Sequence, residues 1–141
     1  MEQHKDEKIR ELMSEASKAR DRAYCPYSNF RVGAAVLTTD GAIFTGCNVE
    51  NASYGLCVCA ERVAIMNAVA HGHRNFRSLA VCCDIKGSFK ASCGACRQVI
   101  AEFGMDIDLY LVKPSGEYQC VQFQQLLPMA FTPQALQEER V

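Results

Sequence analysis

One mixed sheet with helices on both faces is the fold class this chain predicts: an α/β domain in three layers, α/β/α, around a mixed five-stranded sheet. Three observations predict it. Segments of helical and strand period follow one another in the order α-β-β-α-β-α-β-β, with a candidate helix at the end. The 141 residues have the size of one domain, so residues 1–141 are read as a single unit. A composition of 49 % hydrophobic and 22 % charged residues is that of an ordinary globular protein able to bury a core.

The elements follow from local pattern. Over residues 6–22, Ile9, Leu12, Met13, Ala16 and Ala19 recur at helical spacing between charges. Pro26 closes that region, and Ser28-Asn29 continue the loop. Val32–Thr38 and Ala42–Cys47 are β-rich and flank Thr39-Asp40-Gly41, where Asp-Gly signals a hairpin. Asn48–Val58 mixes polar and small residues and reads as a loop. Cys59–His71 reads as a helix stopped by Gly72, apolar nearly all round and so expected to be well buried. Ser78–Cys83 is a continuous apolar run, as in an interior strand. Asp84–Ser92 is a loop, and Gly94–Phe103 a third helix ending at Gly104. Ile107–Val112 and Tyr118–Phe123 are two more strands, parted by Pro114-Ser115-Gly116. Gln124–Leu127 suits a short helical turn, and Pro133–Glu139 a terminal helix with Thr132 as N-cap and Pro133 at its first position.

Charge and apolar patterning exclude several functions. A formal net charge of −1 supplies no basic field for nucleic acid. Apolar runs such as Val32–Leu37 are far too short to span a bilayer. The first residues are rich in Lys, Glu and Asp and contain no apolar signal core. The expected location is cytoplasmic, with the nucleus as alternative. Nine cysteines are an odd number, and in a reducing compartment they read as metal ligands or buried thiols rather than disulfides.

Cys59-Ala60-Glu61 and Cys93-Gly94-Ala95-Cys96 carry the chemistry. Each fragment sits where a loop enters a helix, and free N–H groups and the helix dipole favour thiolate there. Three thiolates, Cys59, Cys93 and Cys96, can hold Zn²⁺ with one position left open, whereas a structural site closes with four ligands. Glu61 stands beside that open position as an acid/base group, which points to hydrolysis. A Cys-x-x-Cys pair alone is also compatible with redox chemistry or with two core thiols. Three thiolates leave the site at −1, so something must offset the charge; helix N-termini, Arg62 and Arg97 are candidates.

The order Cys-x-Glu followed by Cys-x-x-Cys is the signature of zinc nucleobase deaminases. With the stretches Tyr27–Ala35, Gly46–Tyr54, Cys59–Arg62, Cys93–Gln98 and Leu126–Phe131, the chain resembles the small, homotetrameric, three-cysteine cytidine deaminases from about residue 8 to about 136. The resemblance implies a cytidine deaminase-like fold and one Zn²⁺ per subunit on Cys59, Cys93 and Cys96. It implies Glu61 as proton shuttle in the hydrolysis of cytidine and 2′-deoxycytidine to uridine and 2′-deoxyuridine, and Arg62 as donor to a ligand sulfur. Asn48 and Glu50 match residues that hold the ribose, and Phe30 an aromatic on the pyrimidine. Val49, Asn51, Ala52 and Ser53 complete that substrate segment. Tyr54 and Phe131 match residues that reach a neighbouring subunit's site, so a homotetramer with composite active sites is implied, acting on a small nucleoside.

The chain departs from that pattern at Ser92, where proline is usual before Cys-x-x-Cys, and at Gly55, where proline usually follows Tyr54. Both loops lose a constraint on their unfolded conformations. Cys57, two residues before Cys59, reads as a bystander thiol, with alternative ligand or oxidation-sensitive site as the other readings. Cys25, Cys47, Cys82, Cys83 and Cys120 read as bystanders too. Rival functions are a catalytically inactive zinc-binding oligomer and a deaminase of a modified nucleoside or polynucleotide base.

Overall fold

The computed structural model describes residues 2–141, with side chains from Lys5 onward. Five strands form one sheet: β1 Val32–Thr38, β2 Ile43–Cys47, β3 Phe76–Cys83, β4 Asp108–Val112 and β5 Tyr118–Gln122. Their spatial order is β2-β1-β3-β4-β5. β3 and β4 run parallel and the other neighbours antiparallel, so the sheet is mixed as expected.

Pleating sorts the strand residues between two cores. On one face Ala34, Val36, Leu79, Val81 and Leu109 pack with helices α2 Ala60–Ala70 and α3 Gly94–Phe103. On the other, Ala35, Leu37, Ala80, Cys82, Tyr110 and Val112 meet Ile9, Leu12 and Ala16 of α1 Glu2–Arg20. Helices on both faces explain why β1 and β3 are apolar without alternation.

Two glycines let backbone touch backbone. A Cβ on Gly33 would lie 2.1 Å from Ala16 O in α1. A Cβ on Gly46 would lie 2.3 Å from Ala64 N and 2.7 Å from Ala60 O. No side chain fits in either gap, so the first turns of α2 rest directly on β2.

Several boundaries differ from the pattern reading. The first helix starts at Glu2, among good helix formers that lack an apolar signal, and ends at Arg20 rather than 22. Asp21 and Arg22 continue as turns bonded to Lys18 O and Ala19 O. Cys59 and His71 are the caps of α2, not its first and last turns. α2 is not buried all round, because Met66 and Val69 are exposed. β3 starts earlier, at Phe76, which pairs with Thr38 across a register shift. The segment read as a loop over Asn48–Val58 holds a 3₁₀ turn at Tyr54–Leu56 and a bridge between Val49 and Val58.

The chain's last element, expected as a helix over Pro133–Glu139, is a 3₁₀ turn, Pro133–Gln137. It buries no residue, and Thr132 makes no side-chain cap, so nothing supports a longer α-helix there. The turn expected at Gln124–Leu127 is a 3₁₀ turn at Phe123–Gln125, started by the fully buried Phe123.

Gly46→Ala is expected to cost about 3 kcal/mol or more, at the upper end of overpacking, because backbone rather than a flexible side chain must yield. Gly87→Ala, with nothing within 4 Å of the new Cβ, should stay within about 0.5 kcal/mol of wild type. Urea denaturation of both variants checks this, and equal midpoints would contradict it.

Candidate metal centre and active site

Two helix N-termini build the centre. Cys59 caps α2 and Cys93 caps α3, both in extended backbone and neither spending its sulfur on a side-chain cap. Cys96 lies in the first turn of α3, fully buried. The three sulfurs all lie within 4.8 Å of one another. Cys59 Sγ and Cys93 Sγ are 3.8 Å apart. Tetrahedral ligands at a zinc–sulfur distance of about 2.3 Å stand about 3.8 Å from each other. The donor set therefore fits Zn²⁺, and the cofactor is one zinc per subunit.

Cys59 and Cys96 act strongly on each other. Cys59 is held down to about 5 by the hydrogen bond from Cys96, with Arg62 assisting and burial opposing. Cys96 is pushed up by the same bond to Cys59, by burial and by the Glu61 charge. A dication entering such a site displaces protons of this kind. Arg62 Nη2 donates to Cys59 Sγ at 3.5 Å. Arg97, the other candidate for offsetting the site's charge, bonds backbone carbonyls and not the ligand sulfurs. Its Nε donates to Ser92 O at 2.8 Å and its Nη1 to Leu126 O at 2.9 Å. It braces the ligand loop against the C-terminal segment instead.

Glu61 is the second residue of α2 and is 5 % exposed. Burial pushes its carboxyl up, opposed by its backbone N–H and by the nearby Ser92 hydroxyl. Glu61, Cys59, Cys93 and Phe30 line one cavity of about 210 Å³. Phe30 reaches it because Asn29 takes a left-handed conformation, φ 55°, which asparagine tolerates. Arg31, the next residue, is clamped to the end of β3: its N, Nε and Nη2 donate to Asp84 at 2.9, 3.1 and 3.1 Å.

The remaining expected residues fall elsewhere. Asn48 uses its amide on backbone, accepting from Val32 N at 2.9 Å and donating to Phe30 O at 2.8 Å. Glu50 accepts from Tyr27 N, Ser28 N and Ser28 Oγ. Phe30 N in turn donates to Ser28 Oγ, so Glu50 and Asn48 both hold the Phe30 loop. Glu50 and Tyr54 line a second cavity with Tyr27, Ser28 and Cys57. Val49 pairs by backbone with Val58. Asn51 accepts from Ser53 N through Oδ1, and Ala52 and Ser53 are exposed. Phe131, 61 % exposed, lies away from the zinc cavity; its carbonyl accepts from Gln98 Nε2 at 2.8 Å. Tyr54 is 71 % exposed.

Cys57 stands outside the cluster. Its sulfur accepts from Asn51 N and donates to Asn51 O. Cys83, expected to be a bystander thiol, lines the zinc cavity together with Lys90, which the sequence did not single out, and Ser28, in a matching stretch but given no role, holds Glu50. Their only sequence signal is nearness to Cys93, Asp84 and Phe30.

Residues 6–111 match the family described as the cytidine and deoxycytidylate deaminase zinc-binding region. A cytidine deaminase of Sporosarcina psychrophila is 46 % identical over 129 residues, covering 91 % of this chain and 94 % of that protein. A probable cytidine deaminase of Dictyostelium discoideum is 45 % identical over 130 residues, 92 % of this chain and 88 % of its own length. The crystal structure of cytidine deaminase from Burkholderia pseudomallei superposes with a TM-score of 0.81 at 49 % identity, over 85 % of this chain and 96 % of that one.

Cys93→Ala is expected to lower bound zinc well below one per chain, whereas Cys57→Ala should keep one. Metal analysis of the purified variants checks both; full occupancy in Cys93→Ala would sink the ligand set.

Proposed function

The chain belongs to the cytidine and deoxycytidylate deaminase family, and from that premise we propose hydrolytic deamination of cytidine and 2′-deoxycytidine, with release of ammonia, as its activity. It is an enzyme that deaminates cytidine with zinc as its cofactor. The observation that carries the reading is one cavity lined by two sulfurs of the three-cysteine cluster and by a buried carboxylate.

Zinc supplies a Lewis acid that makes water a far stronger acid. Cys59, Cys93 and Cys96 are the ligands, and Arg62 withdraws charge from Cys59. Glu61 takes up the attacking water's two protons in turn, passing the first to N3 and the second to the amine, which departs as ammonia. Burial suits it to both steps, since a raised carboxyl lies nearer the working pH than a solvated one. Phe30 packs on the pyrimidine from the other wall of the cavity. Asn48 and Glu50 hold the ribose while bracing the Phe30 loop, with Val49 through Tyr54 as the flank of that subsite.

A homotetramer with composite sites completes the reading. The cavity of about 210 Å³ is smaller than the roughly 300–1,000 Å³ usual for a small-molecule site. Tyr54, Leu56, Met66 and Phe131 are exposed apolar surface that subunit contact would cover. Phe131 and Tyr54 then serve a neighbour's site. Both cores share the one sheet, so the whole chain works as one domain. Among the described residues no helix is long and apolar enough to cross a membrane. Free cysteines throughout support a reducing, cytoplasmic location.

Glu61→Gln is expected to keep one zinc per chain and lose cytidine deamination by roughly 10²–10⁴-fold. The fall in absorbance as cytidine becomes uridine measures it, and substantial residual turnover would refute Glu61 as the shuttle.

A further inference from the structure

The ladder between β1 and β3 ends at the pair Val32 and Cys83. One residue beyond stand Arg31 and Asp84, and there a side chain takes over from the backbone. The Asp84 carboxylate accepts from Arg31 N at 2.9 Å and from its Nε and Nη2 at 3.1 Å each, a bidentate fork with a main-chain bond added. Arg20, at the end of α1, brings Nη1 to 3.7 Å from the same carboxylate, and Arg31 Nη1 lies 3.5 Å from Asp21. Four charges of alternating sign thus form one row. The Asp84 and Arg20 side chains are 23 % and 15 % exposed, so water screens this inner pair less than a free surface pair.

The row stands directly behind the zinc cavity. Phe30 precedes Arg31, Cys83 precedes Asp84, and both Phe30 and Cys83 line the cavity. The bridge therefore ties two cavity walls to each other, the loop and the end of β3. The loop needs such a hold, because Asn29 sits at φ 55°, a conformation that persists where its surroundings enforce it. Glu50 and Ser28 secure the loop before Asn29; Asp84 secures it after Phe30. We propose that Asp84 is a positioning residue for Phe30: by pinning Arg31 to the end of β3 it fixes the aromatic ring in the cavity and so sets the affinity for the nucleoside. The proposal rests on the reading of Phe30 as the aromatic on the base. A ring already in place costs the substrate no ordering of the loop on binding. A bridge that served stability alone has another signature: its loss would lower the melting temperature and leave KM as it was.

Asp84→Ala on the zinc-loaded enzyme separates the two. KM for cytidine should rise about tenfold, the scale of a hydrogen bond between charged groups. Turnover, kcat, should stay within about twofold and zinc at one per chain, because ground state and transition state lose the same contact. Arg31→Met keeps the main-chain bond and loses the fork, so KM should rise about threefold; the double variant should match Asp84→Ala, since the Arg31 side chain acts through Asp84. Fluorine spectra of protein with its seven phenylalanines replaced by 4-fluorophenylalanine read the ring without turnover. The Phe30 resonance, identified by its absence in Phe30→Leu, should shift or broaden in Asp84→Ala before substrate is added. The same spectrum and KM of Arg31→Met decide the matter if Asp84→Ala does not fold. An unmoved resonance or an unchanged KM would overturn the proposal, and so would loss of zinc, which would assign Asp84 to the frame of the metal centre. A wild-type KM in Phe30→Leu would instead bring down the reading of Phe30 itself.

Discussion

The first turns of α2 and α3 bring three sulfurs within 4.8 Å of each other, and most of the molecule serves that convergence. Like charges do not gather unaided. Two helix N-termini supply unpaired N–H groups and the positive ends of two dipoles, and Arg62 adds a full charge at Cys59. The helices can meet there because the sheet lets them come close. Gly46 removes the side chain that would hold α2 off β2, and α3 is the crossover between the parallel strands β3 and β4. α1, on the opposite face, seals the second core and rests on β1 at Gly33.

Chemistry then follows from burial. A carboxyl two residues beyond a ligand would be an ordinary surface acid if solvated. Glu61 is 5 % exposed, and the low polarity of its surroundings lifts it toward the range where one group can both accept and donate. The Phe30 loop forms the facing wall. It is tied down by the Arg31–Asp84 clamp and by Asn48 and Glu50. The residues assigned to the sugar thus also hold the aromatic assigned to the base.

Much of this was legible in the residues, for physical reasons. Strands buried on both faces and an amphipathic α1 leave strong periodic signals, and Gly94–Phe103 is bounded by residues that act on the backbone locally. The cysteine fragments were readable because short spacing at helix starts restricts where sulfurs can go. What escaped depends on contacts between distant segments. Nothing near Arg97 says that it spends its guanidinium on Ser92 O and Leu126 O instead of on sulfur. Nothing in Met66 or Val69 says that the outer side of α2 stays uncovered in the single chain. Pro133–Glu139 has good helix signals at its start, but it buries nothing, and propensity alone does not hold a short helix.

Free nucleosides, rather than bases within a polynucleotide, are the proposed substrates of this cavity. A steady-state absorbance assay of the zinc-loaded enzyme against cytidine, 2′-deoxycytidine, cytosine and a cytosine-containing single-stranded oligonucleotide tests this most directly. Turnover of both nucleosides and none of the oligonucleotide is expected, since a chain of net charge −1 offers a polynucleotide no overall basic field. Turnover of the oligonucleotide without the nucleosides, or of nothing by fully zinc-loaded protein, would contradict it.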